Sequence, residues 1–218
     1  MKDATAKERV LKNIRNALIQ KNENPYFSVN LDESPYAPVD PVTEVAFAEA
    51  LRKVGGEFIY CSDERDMLIQ LKGLFQEQEW QEVYVLNPSL AALLEAANIT
   101  VVTDPNALGP MKVGLSFCES LVARLGTVVM SAVATDGRRM IVHPEIQLII
   151  AYASQVFADL KDAIEDLSIR YGDSMPSMVT FVTGPSRTAD IEKTLVMGAH
   201  GPKQLFVFMI DDSNISPE

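Results

Sequence analysis

The sequence predicts an α/β fold, a layered and mostly parallel sheet preceded by an N-terminal helical arm, and three observations carry that reading. Short apolar runs recur from residue 57 onward: EFIYC at 57–61, EVYVL at 82–86, ITVV at 99–102, TVVM at 127–130, LIIA at 148–151, MVTFV at 178–182 and LFVFMI at 205–210. Helical patterns separate many of these runs, and strand alternating with helix implies parallel pairing, because parallel strands need a crossover between them. The last run is apolar at six consecutive positions, as expected of a strand covered on both faces.

At the N-terminus, Val10, Leu11, Ile14, Ala17 and Leu18 recur at helical spacing with lysine, arginine and asparagine opposite them, so residues 5 to 21 read as an amphipathic helix. Its polar face is not uniformly basic, which favours docking on the body of the protein or on a neighbouring subunit over a membrane surface. Residues 22–41, NENPYFSVNLDESPYAPVDP, are proline-rich without periodicity and read as an extended connection. The expected organisation is therefore residues 1–41 as helix and connection, and residues 42–218 as the α/β domain.

A length of 218 residues leaves room for one substantial core plus an arm. Hydrophobic residues at 47% and charged residues at 22% fit an ordinary globular chain. The cysteines, Cys61 and Cys118, stand far apart without a CxxC, so no disulfide framework and no zinc or iron–sulfur site is encoded. Reduced thiols, a charged MKDATAKERV where a signal peptide would be apolar, and the lack of an apolar run near the roughly 18 residues of a spanning helix together predict a cytoplasmic chain without a membrane anchor. A formal charge of −11 disfavours nucleic acid as a partner, since such binding uses a basic surface to displace counterions. An anionic ligand would need local arginines and backbone N–H groups to overcome the repulsive field of the whole chain.

Several strand runs end in polar residues: Ser62 and Asp63, Asn87, Thr103 and Asp104, Thr183 and Gly184, Asp211 and Asp212. Parallel pairing would gather these ends on one edge, where open α/β folds bind ligands, although most of these side chains suit the role of cap for a following helix. GxGxxG, GxxxxGK[ST], GxSxG and HExxH are all missing, which removes support for the standard nucleotide, serine-hydrolase and zinc-protease readings.

The strongest local signal is MVTFVTGPSRTADIEKTL, 178–195, which reads as strand, tight turn and helix. Gly184 permits a sharp turn and Pro185 restricts it. Ser186, Thr188 or Asp190 can cap the helix, and Glu192 suits its positive end. The same turn, with free N–H groups, two hydroxyls and Arg187, could cradle a carboxylate or phosphate. Chemistry alone leaves the capped helix and the anion cradle equally open.

A second segment, VGLSFCESLVARLGTVVMSA at 113–132, runs from an apolar start through a short helical pattern to Gly126-Thr127 and a strand. Glu119 at the first turn of that pattern could be a nucleophile or general base if partly buried, or could simply satisfy the helix start. Cys118 has no nearby histidine and reads first as a buried small hydrophobe, with a thiolate as the alternative. Asp136-Gly137 marks a tight turn between apolar segments; Arg138, Arg139 and His143 beside it are further polar candidates, the two arginines as a source of positive charge, although they read first as ordinary exposed turn side chains. His200, before Gly201-Pro202, reads as a structural hydrogen-bonder ahead of an acid/base group.

Gly184 to Pro202, GPSRTADIEKTLVMGAHGP, resembles the signature of the LUD-domain family, the lactate-utilisation protein C or LutC/YkgG family. VGLSFCESLVARLGT upstream is similar to that family's pattern, and the N-terminal helix and proline-rich connection extend the resemblance over nearly the whole chain. Glu119, Gly126, Thr127, Gly184, Ser186, Arg187, Thr188, Asp190, Glu192 and His200 match it. Arg124, Leu125 and Gln147 depart from it. The resemblance implies a NagB/RpiA/CoA-transferase-like fold and a part in oxidising L-lactate to pyruvate beside iron–sulfur partner proteins. It assigns neither a cofactor nor a catalytic residue.

Three functions follow as expectations. The first is a lactate-utilisation component that binds a small organic acid or anionic cofactor at Gly126, Thr127, Ser186 and Arg187. The second is a CoA-transferase-like or sugar-phosphate enzyme using Glu119. The third is a scaffold or regulatory subunit whose N-terminal helix docks a partner, with a homo-oligomer among the assemblies it allows.

Overall fold

The computed structural model describes residues 5–19, 26–28, 30, 36–104, 112–189, 195–198 and 201–213. The chain divides into two units, 1–38 and 39–218. In the first, α1 (Ala6–Ile19) starts with a capping box: Thr5 N donates to Glu8 Oε2 at 2.7 Å and Glu8 N donates to Thr5 Oγ1 at 3.3 Å. None of its residues is buried, and the apolar stripe of Val10, Leu11, Ile14 and Leu18 is exposed.

The second unit begins with α2 (Thr43–Lys53), β1 (Glu57–Cys61), α3 (Glu64–Glu77), β2 (Val83–Tyr84), α4 (Pro88–Ala96) and β3 (Val101–Val102). There follow β4 (Val113–Phe117), β5 (Ser120–Val122), β6 (Thr127–Ser131), the one-turn α5 (Arg139–Val142), β7 (Ile146–Tyr152), β8 (Val156–Phe157) and α6 (Leu160–Tyr171). The chain closes with β9 (Val179–Val182), a hairpin of β10 (Arg187–Ala189) and β11 (Leu195–Met197), and β12 (Gln204–Ile210).

Six strands pair in the order β1-β12-β7-β4-β2-β3, all parallel. The predicted parallel α/β sheet is therefore present. Leu205–Ile210 fills its interior as expected, and period-two alternation divides that strand between two cores. Phe206, Phe208 and Ile210 face one core with Met67, Leu71 and Phe75 of α3 and Leu90 and Leu94 of α4. Leu205, Val207 and Met209 face the other, with Phe47 and Leu51 of α2 and Leu121, Val128 and Met130 of the second sheet. That second sheet, β8-β5-β6-β9, is mainly antiparallel and carries α6 on its outer side through Val122, Val129, Ala163 and Leu167.

Two expected helices are strands instead. The helical pattern after Glu119 gives way to β5, because Leu121 and Val122 face different cores and only an extended backbone buries both. The helix expected after Pro185 is replaced by β10 paired with β11: Ser186 N donates to Pro202 O at 2.8 Å and Gly198 N to Ser186 O at 3.0 Å. The backbone of Ser186 is thus committed across chain segments, not along a helix. Gly126 (φ +62°) marks a close approach, since an added Cβ would lie 2.6 Å from Leu51 Cα and nearer still to Leu51 N. Gly126→Ala therefore pushes against backbone at a φ that alanine avoids, and urea unfolding is expected to show a loss of about 2 kcal/mol or more.

Candidate functional site

At the carboxyl edge of the six-stranded sheet, the polar strand ends do what caps do. Asp63 accepts Asp66 N at 2.8 Å and starts α3, while Asn87 accepts Leu90 N at 3.0 Å and starts α4. Thr183 and Gly184 are not part of this edge. They follow β9 of the second sheet, and their turn lies near the amino ends of the parallel strands: Ser186 bonds Pro202, just before β12, and Arg187 bonds Val54, just before β1.

There the turn forms one wall of a cleft of about 510 Å³, with Val54 behind α2 and Ile141 and Val142 of α5 on other sides. Its polar groups come from Thr180, Thr183, Ser186 and Arg187. Arg187 Nη2 donates to Val54 O at 2.6 Å, so the guanidinium sits at the carbonyl end of α2, where positive charge is favoured. That bond uses one of five N–H donors and fixes the direction of the rest. Gly55 (φ +87°) and Gly184 (φ +78°) make the room: a Cβ on Gly55 would strike Arg187 Nη2, and one on Gly184 would lie 2.5 Å from Val54 O.

Among the residues expected at a ligand site, Gly184, Ser186 and Arg187 line this cleft. Thr127 stands behind it, buried, and its hydroxyl meets that of Thr183 at 2.7 Å. Gly126 packs on α2, outside the lining. Thr188 contributes its backbone to β10, its side chain lying outside the described structure, as do Asp190, Glu192 and His200. Arg138 Nε donates to Ser177 Oγ at 3.2 Å, and His143 is exposed at the end of α5; neither lines the cleft, nor does Arg139.

Glu119 lies elsewhere, after β4, and is 5% exposed. Its carboxylate accepts from Arg170 Nη1 and from the Tyr171 hydroxyl, each at 2.7 Å, and from the Ser131 hydroxyl. Burial alone pushes this carboxyl up, but the bonds from Ser131, Tyr171 and Arg170, with the arginine's charge, outweigh it and hold it below its usual range. A carboxylate so occupied is a poor nucleophile or base. Ser131 extends the network, accepting Val133 N at 3.1 Å and Ala134 N at 3.0 Å in the turn that leads toward α5. The Cys118 thiol is buried, and burial first, then the Glu119 charge, raise its pKa, so the thiolate alternative is unsupported. Arg124 pairs with Asp159, and Gln147 donates to Ser116 Oγ at 3.2 Å within the sheet. Two of the three positions that depart from the family pattern, Arg124 and Gln147, thus have structural partners.

A family model described as the LUD domain matches residues 105–210. Over 180 residues the chain is 31% identical to a protein from Geobacillus kaustophilus named lactate utilization protein C, covering 78% of this chain and 71% of that one. The chain belongs to the LUD-domain family of lactate utilisation protein C relatives. A second relative of the same name, from Geobacillus thermodenitrificans, is 32% identical over 163 residues, 72% of this chain and 64% of its own length. In fold the chain is similar to a DUF162 family protein from Deinococcus radiodurans, with a TM-score of 0.58 at 15% identity, over 77% of this chain and 96% of that one.

The LUD stretch of this family member holds Thr127, the 183–187 turn and Glu119, while Val54 and Gly55 lie before it. Val54 and Gly55 carry no local signal of a ligand site, and Arg170 and Tyr171 lie 51 and 52 positions from Glu119 in an ordinary helical pattern. Glu119→Gln should cost about 1–3 kcal/mol in chemical unfolding at neutral pH. It should cost less than the breaking of a fully buried pair, because the Arg170 side chain is 40% exposed and keeps its water. Since the folded carboxyl titrates below its unfolded value, its stabilisation is complete above the ordinary carboxylate range and fades as pH falls through the folded value. The stability gap between wild type and Glu119→Gln should therefore narrow on acidification.

Proposed function

We propose that this chain serves lactate utilisation by binding a short organic acid, lactate or pyruvate in kind, in the cleft beside the 183–187 turn. The observation that carries the reading is Arg187, held by the Val54 carbonyl at the cleft wall with Ser186 and Thr183 beside it. A guanidinium fixed at one corner presents paired N–H donors to a carboxylate, and two hydroxyls can complete its shell. The apolar wall of Ile141, Val142 and Val182 suits the carbon end of such an acid. In a chain of net charge −11, a local arginine is what makes anion binding workable. The names of the relatives support the pathway in this reading, and the arginine and hydroxyls of the cleft support the ligand class.

Glu119 acts in this proposal as a positioning residue. Its carboxylate secures Ser131, and Ser131 orders the turn toward α5, which supplies Ile141 and Val142 to the cleft. The iron–sulfur proteins expected of lactate oxidation are the proposed partners, docked through the exposed apolar stripe of α1. Deleting residues 5–19 should abolish co-purification with such partners and leave cleft binding intact; unchanged co-purification would remove α1 from that role.

In calorimetric titration with L-lactate and pyruvate, Arg187→Ala should weaken binding about ten- to a hundredfold, the worth of a charge-assisted hydrogen-bond pair. Arg187→Lys should retain part of it. Equal affinity in folded Arg187→Ala would refute the assignment.

A further inference from the structure

A second cavity lies on the opposite side of the six-stranded sheet from the cleft, at the carboxyl ends of β4, β7 and β12 and the starts of α3 and α4. It is a slot of about 170 Å³ with walls from Met67, Leu90, Leu93, Phe117, Ile150 and Ile210. Its polar side consists of Ser89, Tyr152 and Glu64, with the Tyr152 hydroxyl donating to Glu64 Oε1 at 3.1 Å. The carboxyl edge of a parallel sheet is where open α/β folds take ligands. The proposed acid-binding role leaves this slot unused.

We propose that the slot binds the aliphatic chain of a small ligand that carries an ammonium head, with Glu64 as its counter-ion. Size sets the chain length. An engineered apolar cavity of about 150 Å³ admits benzene, so a slot slightly larger accepts a chain of about six carbons. Charge selects the head. Glu64 has one oxygen engaged by Tyr152 and acceptor capacity to spare, since a carboxylate offers about four lone-pair sites. Burial, and then the charge of Glu64, keep the Tyr152 hydroxyl protonated as a donor toward that carboxylate. Glu64 is the one charged side chain lining the slot, so a carboxylate head placed there would meet a like charge and an ammonium head an opposite one. The selectivity is thus the reverse of that proposed for the cleft at Arg187.

A chain-length series of n-alkylammonium ions, from propyl to octyl, tests this in the full-length protein by calorimetry, with hexanoate as the charge-reversed control. Each added methylene should tighten binding about fourfold until the slot is full near six carbons, after which affinity should level off. Hexanoate should bind at least tenfold more weakly than hexylammonium. Methyl resonances of Met67, Leu93, Ile150 and Ile210 should shift on titration. Leu93→Trp, at a partly buried position, should abolish binding while circular dichroism remains that of the parent, and Glu64→Gln should erase the preference for ammonium over carboxylate. Arg187→Ala should leave the series unchanged, which separates this site from the acid-binding cleft. Failure of hexylammonium to saturate, equal binding of hexanoate, or methyl shifts confined to other regions would overturn the proposal.

Discussion

The last turn of α2 is the surface against which the cleft is built. Gly126 brings the β5–β6 turn against the backbone of Ala50 and Leu51, and Gly184 brings the second turn against Val54. Arg187 then closes on the Val54 carbonyl. A side chain at either glycine would separate the two layers, and the guanidinium would lose the acceptor that aims it. The contact between Thr127 and Thr183 joins the start of β6 to the turn that walls the cleft. Packing of Phe47 and Leu51 into the inner core keeps α2 itself in place.

Glu119 plays a parallel role on the other side of the second sheet. A buried ion is costly unless it is paired and hydrogen-bonded, and here three donors, one of them charged, satisfy both oxygens. The result ties the hairpin of β5 and β6 to the end of α6, where Gly172 follows with a left-handed φ of +51°. Arginine supplies the charge, tyrosine and serine supply direction, and the carboxylate is kept ionised. Such an arrangement holds a fold together well and performs proton transfer badly, which is why the enzyme reading built on Glu119 loses ground to the binding reading.

Much of the architecture was legible in the residues. The two-faced burial of Leu205–Ile210 and the capping chemistry of Asp63 and Asn87 both act locally, and both were readable. The misreadings share a cause. In 119–125 and 186–189 the side-chain spacing permits a helix, but tertiary partners decide otherwise: two cores on either side of Leu121 and Val122, and Pro202 and Gly198 around Ser186. Arg187 was visible as a cation in a turn; its acceptor, Val54 O, was not, because a backbone carbonyl 133 positions away leaves no trace in composition or spacing. The Glu119 network was hidden for the same reason, its partners being distant in sequence and unremarkable in type. The slot beneath Tyr152 was hidden because its walls look like any core.

Amide chemical-shift mapping of L-lactate and pyruvate binding tests the central claim most directly. If the cleft beside α2 receives the acid, the amides of Gly55, Gly184, Ser186 and Arg187 should shift together and saturate with a single dissociation constant. Shifts confined to the carboxyl edge of the sheet, around Ser62 and Asp211, with the 183–187 turn silent, would contradict it.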